Sequence, residues 1–316
     1  MSNPDTLQGC NGHLASTADG YLPGIVDPAV SGEPVEVSEG VFVISDNRIP
    51  FVPNIGIVVG QHAALVVDTG IGPSNGAVVL DHARRLAGDR KLFVAITQFD
   101  PGHGFGAQAF HGAATIVYSD AQRYRLHHHA ATYVYTFQTL SRDVAARLDG
   151  LELVDCDVSY ERRLEIDLGG TRAVLRQCGP AHTTDDQTVH IDDRVLFGGD
   201  LFETRMFPIL PYFPPFDSHF DGRRWIDTLD RLIATPPDIV VPGHGEITDV
   251  GQITAVRDYL AYLREQTRQL WLAGASHTEA AARIAEYAQT TWPTWDGPRN
   301  IRYAVRAFYD QLDREQ

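Results

Sequence analysis

Apolar residues recur in two rhythms along this chain. From Val35 they alternate in VEVSEGVFVIS, the period of a strand or hairpin with one buried face. GIVVG and AALVVDTG follow as short β-branched runs separated by Gln61 and His62. SNGAVVLDHARRLAG then predicts a helix that begins at Ser74 as N-cap and closes on Gly88. KLFVAIT and ATIVYS predict two more buried strands, and residues from Asp120 to about Leu148 read as helical. TRAVLRQCG, QTVHID and RVLFGGD predict three strands in close succession. RRWIDTLDRLIAT has helical period, DIVVPGHG is a strand ending in a loop, and the tail from about Asp249 is helical throughout. Residues 1–34, rich in Gly, Pro, Ser and Asp, form an irregular lead-in. Residues 35–250 form the main domain, and 251–316 a helical extension packed on it. Strands that alternate with helices and then cluster predict an α/β (α+β) fold of sheets covered by helices.

The polar residues add chemistry to this outline. In four places a β-branched run ends in a short loop holding His, Asp or both: after VAIT, VLRQC, VLFGG and DIVV. Strand ends on one edge of a sheet can converge although distant in sequence. The convergent candidates are Gln98, Asp100, His103, His182, Asp200 and His244. Each has an ordinary explanation alone, since Asp before a helix is commonly a cap. Together they place a metal-ligand type at each of these strand ends.

VVDTG (66–70), TQFDPGHGFGA (97–107), GPAHTTDD (179–186), LFGGD (196–200) and VPGHGEIT (241–248) occur in an order and spacing that resemble the metallo-β-lactamase superfamily. The resemblance covers roughly residues 37–250. It implies a four-layer αββα sandwich with a metal centre at one edge between the sheets, and the helical tail resembles that of lactonase- and thioesterase-like hydrolases. In that family the loop usually reads Thr-His-x-His-x-Asp-His-x-x-Gly. His182, Asp200 and His244 match the later ligands, with Asp200 in the bridging position, and His103 matches the last loop histidine. Asp68 matches a structural aspartate. Gln98 and Asp100 replace the first two loop histidines, and Gly102 replaces the loop aspartate.

Carried over residue by residue, the resemblance implies a first site of Gln98, Asp100, His182 and Asp200, and a second of His103, His244 and Asp200. The carboxylate charge has moved between sites rather than vanished, so attraction for a dication survives. Oxygen donors suit harder ions such as Mn²⁺, Fe²⁺ or Mg²⁺, whereas two His and one carboxylate suit a catalytic zinc or a non-haem iron. The expected cofactor is one or two divalent ions.

Further residues are candidates around such a centre. Asp186, beside Asp185 and His182, could accept a proton or support a ligand. The aromatic, Pro-rich segment 203–220 could wall a pocket, with Arg205 as anion clamp, Phe207 as an apolar contact and Tyr212 as acid or hydrogen-bond donor. The formal net charge of −15 argues against nucleic acid or an anionic membrane as the main partner. Three scattered cysteines do not make a disulfide framework or a thiolate zinc site. Neither a signal peptide nor a run of roughly 20 apolar residues is evident, which predicts a cytoplasmic protein with a small-molecule substrate; a homodimer is possible.

Three functions follow from this pattern. The first is a metal-dependent hydrolase of an ester, lactone, thioester or amide, with metal-activated water and Asp200 as the central carboxylate. The second is a metal-dependent oxidoreductase or lyase using a His/His/Asp iron-type site. The third is a metal-free binding protein or pseudoenzyme.

Overall fold

The computed structural model describes residues 26–208, 210 and 220–315. Tyr212 and Cys10 therefore lie outside the described residues.

Seven strands form one sheet in chain order: β1 (Val35–Ser38), β2 (Val41–Ile44), β3 (Ile55–Val59), β4 (Ala63–Val67), β5 (Lys91–Ala95), β6 (Thr115–Ser119) and β7 (Val158–Tyr160). The first four pair antiparallel, and β4 to β7 pair parallel. Parallel neighbours need crossovers. Between β4 and β5 runs α1 (Gly72–Ala87); between β5 and β6 lie the one-turn α2 (Pro101–Gly104) and a 3-10 segment; between β6 and β7 lie α3 (Asp120–Gln138) and α4 (Arg142–Arg147). The helix expected from Ser74 starts earlier, because a proline in its first turn presets a helical φ. The stretch expected to be helical from Asp120 to Leu148 is divided, since Ser141 accepts from Val144 N and caps a new helix.

The second sheet holds β8 (Arg163–Asp167), β9 (Arg172–Gln177), β10 (Gln187–Ile191), β11 (Val195–Phe197) and β12 (Ile239–Val241), in the order β12-β11-β10-β9-β8. Only β11 and β12 pair parallel. Strands β7 and β8 were not anticipated. In β8 only Leu164 and Ile166 are apolar, and the charged Arg163, Glu165 and Asp167 between them dilute the pattern. Those charges suit a sheet edge that must not pair with another chain.

Three apolar cores separate four layers. In β4, Ala64 and Val66 join Ile55, Ile57 and Val79 under the first helices. Leu65 and Val67 face the other way, toward Leu175, Val189 and Phe197 of the second sheet. Alternate residues thus enter different cores, which is why β4 is buried along its whole length. On the far side, Leu196 and Val240 pack against α5 (Gly222–Ala234), α6 (Val250–Leu272), α7 (His277–Thr291) and α8 (Asn300–Arg314) through Trp225, Tyr259, Leu263, Ile284 and Val305. The C-terminal helices are thus part of the sandwich. Trp225 is fully buried and donates Nε1–H to Leu201 O at 2.9 Å. Among the described residues no helix is long and apolar enough to cross a membrane.

Candidate metal centre

Five strands deliver polar residues to one edge of the sandwich: β2 leads to Asp46, β4 to Asp68, β5 to Gln98, β11 to Asp200 and β12 to His244. Strands β2 and β4 both oppose β3 and therefore end on the same side. Cross-sheet bonds fix the edge. Gln187 N donates to Thr97 O, and Asn54 N to Gly243 O, each at 2.8 Å. Asn54 Nδ2 donates to Pro242 O and Gly245 O, and its Oδ1 accepts Asp46 N. Gly243 is obligatory here, because a Cβ on it would lie 2.0 Å from Asp200 Oδ1.

Within this edge His103, Asp200 and His244 are buried and bring one ligand atom each to within 4.8 Å of one another. His103 Nε2 lies 3.2 Å from Asp200 Oδ2, and His244 Nε2 lies 3.6 Å from Asp200 Oδ1. Their Nδ1 atoms face outward to carboxylates: His103 Nδ1 lies 2.9 Å from Asp68 Oδ2, and His244 Nδ1 lies 3.8 Å from Asp46 Oδ2. Asp68 is itself held by Thr97 N at 2.7 Å and Thr97 Oγ1 at 2.8 Å. The Asp68 carboxylate orients the His103 ring with Nε2 inward, and Asp46 stands at longer range behind His244.

The electrostatics follow from this packing. Burial opposes the charged form of His103, but Asp200 and Asp68 outweigh it and hold its pKa well above the ordinary imidazole range. His244 is likewise opposed by burial and raised overall by Asp200 and Asp46. Burial pushes Asp200 upward, yet His103 and His244 bring it far below the usual carboxylate range. Asp46 shows the same contest, with His244 and Gly245 N–H prevailing over desolvation.

The donor set fits a divalent cation. Asp200 Oδ1 is buried with no hydrogen-bond partner among the described residues, an arrangement that is costly for an anionic oxygen and natural for a metal ligand. Two inward imidazole nitrogens and this oxygen are the ligands that could hold the ion.

The other expected ligands are arranged differently. Gln98 donates Nε2–H to Asp200 Oδ2 at 2.8 Å rather than offering its oxygen. Asp100 caps α2, its Oδ1 accepting Gly102 N at 2.9 Å, and desolvation raises its pKa. His182 is buried edge-on to Trp225, with Nδ1 3.7 Å from Asp186 Oδ1. Asp186 accepts Thr183 N and Thr183 Oγ1, which shapes the turn that carries His182. Of the pocket candidates, Arg205 is on the surface, paired with Glu246 at 2.7 Å. Phe207 is wholly buried against Tyr259 and Trp295.

Asp46 and Asn54 were missed. Asp46 obeys the rule that found the others, a polar residue directly after a β-branched strand, in VFVISD. No local signal marks Asn54, whose Nδ2 donates to carbonyls 188 and 191 residues away.

The family model of the metallo-beta-lactamase superfamily matches residues 48–244, and the chain belongs to that superfamily. No curated protein matches it. Among solved structures, the stereoselective inverting sec-alkylsulfatase Pisa1 from Pseudomonas sp. shares 13% identity at a TM-score of 0.67, over 97% of this chain and 54% of that one. This chain thus spans about half the length of the alkylsulfatase. A metallo-beta-lactamase from Pontibacter korlensis shares 18% identity at a TM-score of 0.57, over 72% of this chain and 98% of that one. An archaeal superfamily protein from Sulfolobus tokodaii shares 20% identity at a TM-score of 0.54, over 70% and 86%. At these identities the likeness is one of fold.

Proposed function

We propose that this protein is a metal-dependent hydrolase of a small carbonyl compound, an ester, lactone, thioester or amide. The supporting observation is the buried His103–Asp200–His244 group, with imidazole Nε2 atoms turned inward and Asp200 Oδ1 left for a ligand. Superfamily membership agrees with metal-dependent hydrolysis, and neighbours of similar fold carry the names alkylsulfatase and metallo-beta-lactamase. A divalent ion bound there supplies Lewis acidity and acidifies water. The chain's own residues do the rest. Asp68 and Asp46 hold the two imidazoles in register, and Gln98 fixes the Asp200 carboxylate in one rotamer. Asp186 holds the turn that carries His182. Hydrolysis of an ester, lactone and thioester panel by the purified protein, abolished by chelator and by His244→Ala, is the expected result; an inactive protein with stoichiometric metal would sink the hydrolase reading.

A second reading rests on the composition of the trio. Two histidines and one carboxylate are also the ligand set of non-haem iron enzymes, so oxidoreductase or lyase chemistry is the alternative. Iron at one equivalent with substrate-dependent oxygen consumption would favour it, and zinc with ester turnover would exclude it.

A further inference from the structure

The two oxygens of Asp200 meet different surroundings. Oδ1 is buried without a hydrogen-bond partner among the described residues and faces His244 Nε2 at 3.6 Å. Oδ2 accepts from Gln98 Nε2 at 2.8 Å and lies 3.2 Å from His103 Nε2. The Gln98 amide can be oriented by charge alone. An Oε1 turned toward Oδ2 would oppose two acceptors in a buried site, whereas the NH₂ group donates to an anion. A donor to an ionised carboxylate forms one of the stronger hydrogen bonds.

A metal ion taking the Oδ2 lone pair that Gln98 occupies, at the usual distance of about 2.0–2.2 Å, would collide with that amide nitrogen, which already sits 2.8 Å from the oxygen. Asp100 is likewise engaged, on Gly102 N, and His182 packs edge-on against Trp225 with Nδ1 3.7 Å from Asp186 Oδ1. We propose that the Gln98 amide takes the place of a second cation, so that the centre holds a single metal ion on the His103–His244–Asp200 side. This rests on the metal centre proposed above and narrows it. The amide supplies a fixed partial positive charge where a second ion would otherwise neutralise Oδ2, so Asp200 is held in place whether or not the first ion is bound.

The consequence is a change of stoichiometry on substitution. Gln98→Glu replaces the donor by a carboxylate of the same length. The two facing carboxylates then call for a second cation between them. Gln98→His removes the amide and offers an imidazole in its place. The test is titration of chelator-treated full-length protein with cobalt(II), read by the visible absorption of the bound ion and by elemental analysis after removal of excess metal. Wild type is expected to saturate at one equivalent, and folded Gln98→Glu or Gln98→His at two. Wild type saturating at two equivalents overturns the inference and leaves the metal centre standing. So does saturation at one equivalent by every Gln98 variant that folds, as judged by circular dichroism. Failure of wild type to bind any ion overturns the metal centre itself.

Discussion

At one end of the strand-end edge, His103 and His244 turn Nε2 toward Asp200 while carboxylates stand behind their Nδ1 atoms, and one Asp200 oxygen is left without a hydrogen bond. At the other end, Gln98 donates to Asp200, Asp100 caps a helical turn, and His182 packs edge-on against Trp225 with Nδ1 3.7 Å from Asp186 Oδ1. Both ends carry ligand-type residues on loops that follow buried strands. The difference lies in the atoms left over once local hydrogen bonds are made. A metal position needs inward lone pairs that the protein itself does not satisfy, gathered within reach of one another; the first group brings one ligand atom from each of three residues to within 4.8 Å of the others.

The comparison can be broken at several places. The largest effect is expected beneath the loop that carries Gln98 and Asp100. Asp185 is fully buried, accepts Phe99 N at 2.7 Å and pairs with Arg125 Nη1 at 3.1 Å, while the Arg125 guanidinium stacks over Tyr133. Arg125→Met would leave Asp185 charged and buried, lowering unfolding free energy by about 3–5 kcal/mol. Urea denaturation measures this, and a loss below about 1 kcal/mol would mean that the loop does not depend on the pair.

Next comes the ligand trio. A closed structural zinc site of four ligands binds with about 10–16 kcal/mol, so removing one ligand costs on the order of 3 kcal/mol. His244→Ala should weaken metal affinity roughly 100-fold or more, measured by competition with a chromophoric chelator. Unchanged affinity would place the ion elsewhere and erase the contrast between the two ends.

The carboxylates behind the imidazoles sharpen the contrast further. Asp68→Asn should lower affinity about 10–100-fold. Asp46→Asn should cost less, because its oxygen is 3.8 Å from the imidazole rather than 2.9 Å. Equal losses in the same chelator assay would show that distance does not set their rank.

The smallest effect belongs to Asp100. As a helix cap its replacement by Ala should cost about 1 kcal/mol of stability and leave metal content unchanged. Loss of the ion in Asp100→Ala by elemental analysis would make Asp100 a ligand after all.

Much of this was legible in the chain. Period-2 and period-3.6 patterns locate most of the strands and helices, and polar residues at strand ends mark His103, Asp200 and His244. Strand β8 escaped because charge on its outer face left only Leu164 and Ile166 to read. The break between α3 and α4 escaped because Ser141 reads as a tolerable helix residue until its hydroxyl is seen to cap.

The sequence by itself determined the residue types available at the edge, since strand period and turn chemistry are local properties. Tertiary structure decided which of those residues face one another. Asp100 became a cap and Gln98 a donor because the fold sets hydrogen-bond partners against them, Gly102 N for one and Asp200 for the other. Asp46 and Asn54 entered the site only through packing of two sheets whose contributing loops lie about 190–200 residues apart. Local patterns specify where a polar atom is placed along the chain, and only the fold settles whether anything in the protein satisfies it.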